Sequence, residues 1–296
     1  STFNINLNQL IQGAKEEIAI KPIYDGTYTI PAKPEDGNGC VEIEKELYFN
    51  LRQYCEPVYI GIENEESDDD LLKPEDYYRG STGITWKMLA SQNVEMKPSI
   101  FDECKKRLEE ISKKPGSSRI KFYYKRGMGG TTCLKKLAFE MHTKYPVIIV
   151  HSYTSESTAD EIEKLYNLCK MTILIFVDSN YLYYEEMEKL YKELKSKTFG
   201  FVMIHLLSTT GHHQNNTVFP ILTKFTPDDY DNLIDRLKTH IDLKSEIGKK
   251  CFENLEHSLP RDCIKGELTP FLMNMYAFEN NFMGIDDYVN NTLRYP

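Results

Sequence analysis

Short apolar runs alternate with segments of helical spacing from residue 119 onward. Each run is rich in Val, Ile and Phe, as expected of strands that are buried on both faces of a sheet. The runs lie at 119–124, 147–152, 173–178, 201–207 and, with a weaker pattern, 218–225. Strands that alternate with helices are typical of stacked βαβ units, so the pattern predicts an α/β fold with a parallel sheet.

Three helices are predicted between these strands, because apolar residues recur there at i, i+3, i+4 and i+7. The apolar positions are Leu134, Leu137, Ala138 and Met141; Ile162, Leu165, Tyr166 and Cys169; and Met187, Leu190, Tyr191 and Leu194. Helices that cover both faces of a parallel sheet give a core of three layers.

The segments on either side of the core have less regular patterns. After the sheet, Pro227 opens a predicted helix that continues to Ile241, because Pro is favoured in the first turn of a helix. The other expected elements are a loop at 31–39, a helix at about 43–54, a short strand at 58–62, a solvated acidic loop at 63–72, a helix at about 98–113, and tail helices at 243–257, 268–279 and 284–294.

We divide the chain accordingly into three parts. A small α+β accessory region covers residues 1–95, and the α/β core covers 96–242. The helical tail at 243–296 is a lid or the start of a next domain.

The composition indicates a globular protein. Of the 296 residues, 41% are hydrophobic and 12% aromatic, whereas disordered chains are poor in aromatic residues. The formal net charge of -9 argues against binding of nucleic acid or of an anionic membrane, since both call for clustered Lys and Arg. No stretch approaches the roughly 20 apolar residues of a membrane span, and the first residues show no signal-peptide pattern.

Seven cysteines are scattered along the chain without a C-x-x-C pair, so neither a disulfide framework nor a zinc site is expected. Cys104, Cys133 and Cys169 fall on apolar faces of predicted helices, where a thiol usually acts as a small core side chain. The histidine pair at 212–213 lacks further ligands of known spacing and is assigned to a loop. We expect a cytoplasmic chain with reduced cysteines. Because it opens at a serine without a methionine, we also expect it to be part of a longer protein.

A glycine-rich turn, KRGMGG, joins the strand RIKFYY to the helix TTCLKKLAFEMH. In this context backbone N–H groups and the positive end of the helix dipole face an anion, as in loops that hold nucleotide phosphates. Aligned with G-x-x-x-x-G-K-[ST], Gly129 is the second glycine, Thr131 is the magnesium-binding hydroxyl, and Thr132 follows it. Gly127 lies within the loop. The motif predicts a P-loop NTPase-like core that binds ATP or ADP with Mg²⁺; the alternative is a tight turn that needs glycines for geometry alone.

Two positions depart from this pattern. Tyr124 stands where the first glycine belongs, and Gly130 stands where the phosphate-binding lysine belongs. The lysine normally reaches the terminal phosphates, so its loss leaves phosphate binding to the amides and the helix N-terminus. Lys125 occupies the place of an additional lysine found in deviant phosphate loops. It either supplies the lost charge or is, like Arg126, a solvated loop cation.

The strand ILIFVD ends in Asp178, a Walker B pattern in which a carboxylate holds magnesium directly or through water. An Asp at the end of a strand is common in α/β proteins, so this assignment depends on the glycine loop. Ser179 and Asn180 follow in place of the Glu that many hydrolysing proteins use to position water. The strand at 201–207 is followed by Ser-Thr-Thr, without an Arg that reads the terminal phosphate. We therefore expect at most slow hydrolysis.

These residues resemble a known family. The loop G-M-G-G-T-T-C-L, the strands IIVHS and ILIFVD, and the closing segment PFLMNMYAFENNFMGIDDYV look like the lysine-less GGTT branch of STAND-type P-loop NTPases. Upstream, EIEKELYFNLRQYCEPVYIGIENEE and DYYRGSTGITWKML are similar to the stretch that precedes the P-loop in the sterile alpha motif domain-containing protein nine family. The resemblance covers about residues 40–295.

The resemblance implies a large innate-immune protein that restricts viruses and suppresses translation. In this family the NTPase acts as a regulator or oligomerisation device, and an RNA-cleaving activity lies in a different domain. A short Gly-Arg motif ahead of the P-loop contacts the nucleotide in STAND-like relatives, so Tyr78, Arg79 and Gly80 are the matching candidates. Pro270 matches the adenine-contacting proline. The chain departs from the family's usual loop at Arg126, where Pro or a small residue is more typical.

Two functions remain open from the sequence. The first is a nucleotide-gated switch, in which ATP or ADP controls assembly with other domains of a longer chain or with further copies of it. The second is a nucleotide-free scaffold that kept the fold and binds protein partners through its acidic surface; the missing lysine is its main support. An ATPase or kinase would need a catalytic base and phosphate-reading cations that the sequence does not provide, and the acidic balance opposes direct nucleic-acid binding.

Overall fold

The computed structural model of the chain describes residues 27–33, 39–65, 73–78, 83–92, 94–95, 97–209, 218–222, 226–241 and 243–253. Five features predicted from the sequence lie wholly or largely outside these residues: Arg79 with Gly80, Pro270, the histidine pair at 212–213, the acidic loop at 63–72, and the tail helices beyond residue 253.

The described strands are β1 (Thr29–Pro31), β2 (Cys40–Glu42), β3 (Cys55–Val58), β4 (Ser117–Lys125), β5 (Val147–Val150), β6 (Ile173–Asp178), β7 (Phe201–Thr209) and β8 (Val218–Leu222). The described helices are α1 (Lys45–Arg52), α2 (Pro74–Tyr78), α3 (Phe101–Ser112), α4 (Gly130–Met141), α5 (Ser157–Cys169), α6 (Tyr184–Ser196), α7 (Pro227–Thr239) and α8 (Glu246–Glu253). A 3-10 turn covers Ile62–Asn64, and a π-helical turn covers Met88–Gln92.

The core sheet has six strands in the order β3-β5-β6-β7-β4-β8. Strands β5, β6, β7, β4 and β8 run parallel, which confirms the pattern of alternating strands and helices. The sequence predicted a parallel sheet. The edge strand β3 is antiparallel to β5, so the complete sheet is mixed. Because β4, β7 and β6 are adjacent and parallel, their C-terminal ends lie side by side at one edge of the sheet.

The N-terminal strands differ from the prediction. The strand expected at 58–62 covers Cys55–Val58 instead, and Gly61, with a φ of 91°, ends the extended segment by opening the 3-10 turn. Pro57 argues against a strand at this position in the sequence, because Pro is excluded from central strands. Pro is tolerated at a sheet edge such as β3. The antiparallel pair β1 and β2 was not predicted, since strands of three residues are too short to show a period.

The central strands are buried on both faces. All four residues of β5 and all six residues of β6 are buried. Along β4, alternate side chains point to opposite faces: Tyr124 lies against α4, and Arg119 lies against α6. The buried helix positions include Leu134, Leu137, Ala138, Met141, Ile162, Leu165, Cys169, Met187, Leu190 and Leu194. The three-layer α/β core is therefore confirmed.

The sheet face toward α6 contains a charged cluster. Arg119 lies 2.6 Å from the Glu188 carboxylate and Lys121 lies 3.5 Å from it. His205, paired with Lys121 in the sheet register, is fully buried, and both its ring nitrogens lack a hydrogen-bond partner among the described residues. Burial, followed by the positive charges of Arg119 and Lys121, lowers the pKa of His205 to about 3. His205 is therefore neutral at ordinary pH.

The N-terminal segment packs on the helix that follows the glycine loop. Lys136 of α4 forms an ion pair of 2.5 Å with the buried Glu95, and the Lys135 ammonium donates a hydrogen bond of 3.1 Å to the Ile84 carbonyl. The Lys135 ammonium also lies 5.2 Å from the centre of the Trp86 ring. Strand β3 of the core sheet also belongs to this N-terminal segment. The division of the chain at residue 95 stays a prediction.

The described cysteines, at 40, 55, 104, 133 and 169, are free thiols, and those at 104, 133 and 169 are buried as predicted. Burial raises the pKa of Cys104 to about 12 and that of Cys169 to about 11, so both remain protonated. Among the described residues, no helix combines the length and the apolar character needed to cross a bilayer.

Candidate functional site

The glycine loop connects β4 to α4 through two left-handed residues. Gly127 and Gly129 have φ values of 79° and 72°, which residues with a Cβ adopt only with strain. Met128 between them is buried with 4% exposure and anchors the loop to the core. Helix α4 begins at Gly130, and the first N–H groups of any helix have no partner within it. The loop therefore presents backbone donors at the positive end of the helix dipole.

The carboxylate predicted from the strand pattern lies beside this loop. Asp178 ends β6 and is fully buried. The Thr131 hydroxyl donates a hydrogen bond of 2.7 Å to Asp178 Oδ2. The sequence placed both residues at a magnesium site, and the structure brings them together.

Asn180 completes the polar cluster around Asp178, although the sequence singled it out only as a replacement for Glu. Its backbone N–H donates to Asp178 Oδ1 at 2.9 Å. Its side-chain amide donates to Thr131 Oγ1 at 3.0 Å and to Asp178 Oδ2 at 3.3 Å. The amide fixes the relative positions of the hydroxyl and the carboxylate.

The electrostatics of Asp178 reflect two opposing effects. Burial raises the pKa of this carboxyl, whereas hydrogen bonds from the Asn180 backbone, Thr131 and the Asn180 side chain lower it. Burial dominates, so the pKa lies above its usual range. A cation beside Asp178 would favour the ionised form.

The other residues predicted for the loop have different surroundings. Arg126 is exposed at the loop surface, and Lys125 is the last residue of β4. Thr132 lies 3.1 Å from the Tyr77 hydroxyl, measured between the two oxygens. Tyr77 was not predicted, because a tyrosine in a short helix carries no signal of a contact that distant in the chain. Tyr78, by contrast, donates to the Val94 carbonyl at 2.6 Å and is buried, so it holds the N-terminal segment in place.

The residues at the end of β7 join this edge of the sheet to β6. The Ser208 backbone N–H donates to the Ser179 hydroxyl at 3.0 Å, and the Ser179 N–H donates to the Leu206 carbonyl at 2.9 Å. Ser179 stands where many hydrolysing proteins have a Glu that positions water. In this chain Ser179 instead joins the ends of β6 and β7. The cluster therefore positions hydroxyls and amides, with one carboxylate.

This donor set fits a magnesium-bound phosphate better than a metal held by protein alone. Within the part of the chain that the structure describes, no group of three His, Cys, Asp or Glu side chains is placed to hold a metal ion. Thr131 and Asp178 offer two oxygen ligands, and Mg²⁺ commonly takes one or two protein ligands together with waters and phosphate oxygens. The glycine loop offers amides to the same phosphates.

Among known proteins, the chain is similar to parts of solved structures at low sequence identity. No protein-family model matches the chain, and no curated protein is similar enough to count as a match. C. elegans PCH-2 is 10% identical, with a TM-score of 0.39 over 63% of this chain and 63% of that chain, so this chain spans less than two thirds of it. The Holliday junction branch migration motor RuvB of Thermotoga maritima is 15% identical, with a TM-score of 0.37 over 69% of this chain and 77% of that chain.

A structure of Drosophila ORC bound to GC-rich DNA and Cdc6 contains a third similar chain, 9% identical, with a TM-score of 0.34 over 60% of this chain and 36% of that chain. At such identities and TM-scores the interpretation of the site depends on its own contacts. Those contacts are a glycine loop between β4 and α4, and a carboxylate at the end of β6, two strands away in the sheet. The core is a three-layer α/β domain with this glycine loop and carboxylate at one edge of its sheet.

Proposed function

We propose that the chain is a nucleotide-binding regulatory domain of a larger cytoplasmic protein, in which ATP or ADP with Mg²⁺ acts as a switch or controls oligomerisation. The observation that carries the proposal is the hydrogen bond of 2.7 Å between Thr131 and Asp178 at the N-terminus of α4. This hydrogen bond joins the two residues that we expect to bind magnesium, beside amides that suit a phosphate. The packing of the core alone does not require a hydroxyl, a carboxylate and the N–H groups of a helix N-terminus to lie together.

The same site favours binding over turnover. The lysine position is Gly130, Asp178 is followed by Ser179 rather than Glu, and Ser179 accepts a hydrogen bond from the backbone of Ser208. Positioned charges provide most of the transition-state stabilisation in phosphoryl transfer. A site built from amides and hydroxyls holds a nucleotide and turns it over slowly or not at all.

The motifs that resemble the GGTT branch of STAND NTPases support a narrower version of the proposal. In that version the chain belongs to an innate-immune, antiviral protein, and the nucleotide sets how this domain meets other domains or further copies of itself. Arg79 and Pro270 would contact the nucleotide. The Arg79 assignment is supported by Tyr77, which lies two residues before it in the sequence and contacts Thr132 beside the loop.

A nucleotide-free scaffold is the second candidate. It is supported by the way Asp178 is satisfied within the chain, since Thr131 and Asn180 already donate to both carboxylate oxygens. A carboxylate so placed stabilises the fold without a metal. The scaffold and the switch differ in one measurable property, which is nucleotide affinity.

Thermal unfolding with ATP, ADP, GTP and dATP, each with and without Mg²⁺, separates the two. A ligand present at 100 times its Kd stabilises the native state by about 2.7 kcal/mol, which raises the Tm of a chain this long by about 5 °C. We expect such a rise with ATP or ADP in Mg²⁺. An unchanged Tm with every nucleotide at millimolar concentration would favour the scaffold.

A further inference from the structure

The two departures from the phosphate-loop pattern are in contact with each other. A Cβ atom built on Gly130 would lie 2.5 Å from both Cγ and Cδ2 of Tyr124 and 2.9 Å from Cε2. Real Cβ atoms essentially never approach another heavy atom within 3.0 Å. The phenol ring therefore occupies the direction in which any side chain at position 130 would leave the helix.

The ring is held where it is. Tyr124 is 3% exposed, and the atom Cγ that meets the added Cβ is attached directly to its own Cβ, so rotation of the ring about its axis does not remove the clash. At the other end, the phenol hydroxyl is buried and lies near Asp178. The side chain is thus enclosed along its whole length by the packed core.

We propose that Tyr124 excludes lysine from this phosphate loop, because its ring fills the volume that the lysine stem needs. The missing first glycine and the missing lysine are then one coupled replacement rather than two separate losses. The inference relies on the proposed function only where it treats the loop as a phosphate site, since the packing of Tyr124 on Gly130 is independent of any ligand.

The exclusion has a consequence for nucleotide selectivity. A lysine in this frame carries its charge to the β- and γ-phosphates, so part of its contribution to binding requires the γ-phosphate of a triphosphate. With the ring in its place, the loop contacts phosphates through backbone amides and the Thr131 hydroxyl. The wild-type site binds ATP and ADP with similar affinity.

The packing is tested by unfolding temperatures of Gly130→Ala in three backgrounds. An alanine in a helix normally stabilises relative to glycine, and Gly130 has no left-handed φ that would penalise it. We expect Gly130→Ala instead to lower the Tm by about 2–5 °C, as overpacking does, both in the wild type and with Tyr124→Phe, which keeps the ring. In the Tyr124→Ala background the same substitution should leave the Tm unchanged or raise it.

Gly83→Ala is the matched control, because a Cβ at Gly83 meets no heavy atom within 4 Å and the backbone is compatible with alanine. A Gly130→Ala variant as stable as the control, or an equal loss with Tyr124→Ala, would overturn the proposal. If Tyr124→Ala does not fold, the comparison of Gly130→Ala with Gly83→Ala in the wild type still decides it.

The consequence for the site is tested by rebuilding the consensus. Tyr124→Gly combined with Gly130→Lys restores G-x-x-x-x-G-K-T over residues 124–131. One charge-assisted hydrogen bond corresponds to about a tenfold gain in affinity, so we expect calorimetry to show ATP binding tightened about tenfold relative to ADP. Gly130→Lys alone should gain nothing and lower the Tm.

A wild type that binds nucleotide, with a double variant that gains no preference for ATP, would contradict the exclusion of a functional lysine. Failure of both proteins to bind any nucleotide, with the expected pattern of Tm changes, would count against the proposed function and leave the packing of Tyr124 on Gly130 intact.

Discussion

The Thr131 hydroxyl and the Asp178 carboxylate, 47 residues apart in sequence, are joined by a hydrogen bond of 2.7 Å at the C-terminal edge of the sheet. Helix α4 brings Thr131 to this edge, and β6 brings Asp178. Because the two side chains are in contact, the proposed role of each in binding magnesium can be tested by substitution.

Asp178 should matter for nucleotide affinity only when magnesium is present. Asp178→Asn removes the charge that attracts the cation but keeps a side chain of similar size. We expect calorimetric titration with ADP to show that the added affinity in Mg²⁺ is lost, while the affinity in chelator is unchanged. Asp228→Asn, an exposed residue in the first turn of α7, is the control. An equal loss in chelator would mean that Asp178 supports the fold instead.

Asp229 should contribute strongly to stability. It is buried and accepts hydrogen bonds from the Ser99 backbone at 2.8 Å and from the Thr226 backbone at 2.9 Å, which joins the start of α7 to the segment before α3. Asp229→Ala leaves these donors without a partner, so we expect a loss of about 2–3 kcal/mol in the free energy of unfolding.

The exposed neighbour Asp228 lies in the same turn, and Asp228→Ala should change the free energy of unfolding by less than about 0.5 kcal/mol. Urea denaturation of both variants makes the comparison. Similar effects of the two substitutions would show that the helix N-terminus, rather than the buried carboxylate, determines the stability of this region.

His205 should make the chain less stable in mild acid. Its pKa is about 3 when folded, because of burial and the nearby charges of Arg119 and Lys121, and about 6.5 when unfolded. The unfolded state therefore binds more protons between these values, and stability falls as the pH is lowered through this range. From pH 7 to pH 5 the loss from this residue alone amounts to about 2 kcal/mol.

His205→Leu should remove this part of the pH dependence of urea denaturation, while His151→Gln, at an exposed position, should retain it. If the wild type and His205→Leu lose equal stability between pH 7 and pH 5, then His205 is not buried as a neutral group.

The isolated chain should show no more than trivial hydrolysis of ATP. It has Gly130 in place of the lysine, Ser179 in place of a Glu, and Thr209 near the end of β7 where an Arg would read the terminal phosphate. An arginine finger alone changes the rate by on the order of 10³–10⁵. Phosphate release measured at high protein concentration, with Asp178→Asn to reveal a contaminating ATPase, tests this. Fast release that the variant abolishes would be incompatible with the proposed site.

The features with a strong local pattern were predictable from the sequence. Strand β6 and its terminal Asp178 follow from an unbroken apolar run, and the glycine loop follows from its position between a strand and a helix. Parallel strands place their ends at one edge, so the proximity of Thr131 and Asp178 followed as well.

Contacts between ordinary residues far apart in the chain were not predictable. Tyr124 belongs to an apolar run, where nothing marks its ring as covering Gly130. Tyr77 lies in a helix of five residues that has no periodic pattern, yet its hydroxyl reaches Thr132. Such contacts depend on how helices and strands are assembled, which periodicity within one segment does not encode.

The central claim is that this loop binds nucleotide through its backbone, and Gly129→Val tests it most directly. Valine adds a Cβ and branches where a phosphate must approach, and it strains a residue with a φ of 72°. Gly116→Val is the matched control, since Gly116 has a φ of 93° with no heavy atom near its added Cβ, at the opposite end of β4.

Calorimetric titration with ADP and Mg²⁺ should show binding by the wild type and by Gly116→Val, a smaller loss with Lys125→Ala, and the largest loss with Gly129→Val. A Gly129→Val variant that retains wild-type affinity, or loses less than Lys125→Ala does, would contradict the claim.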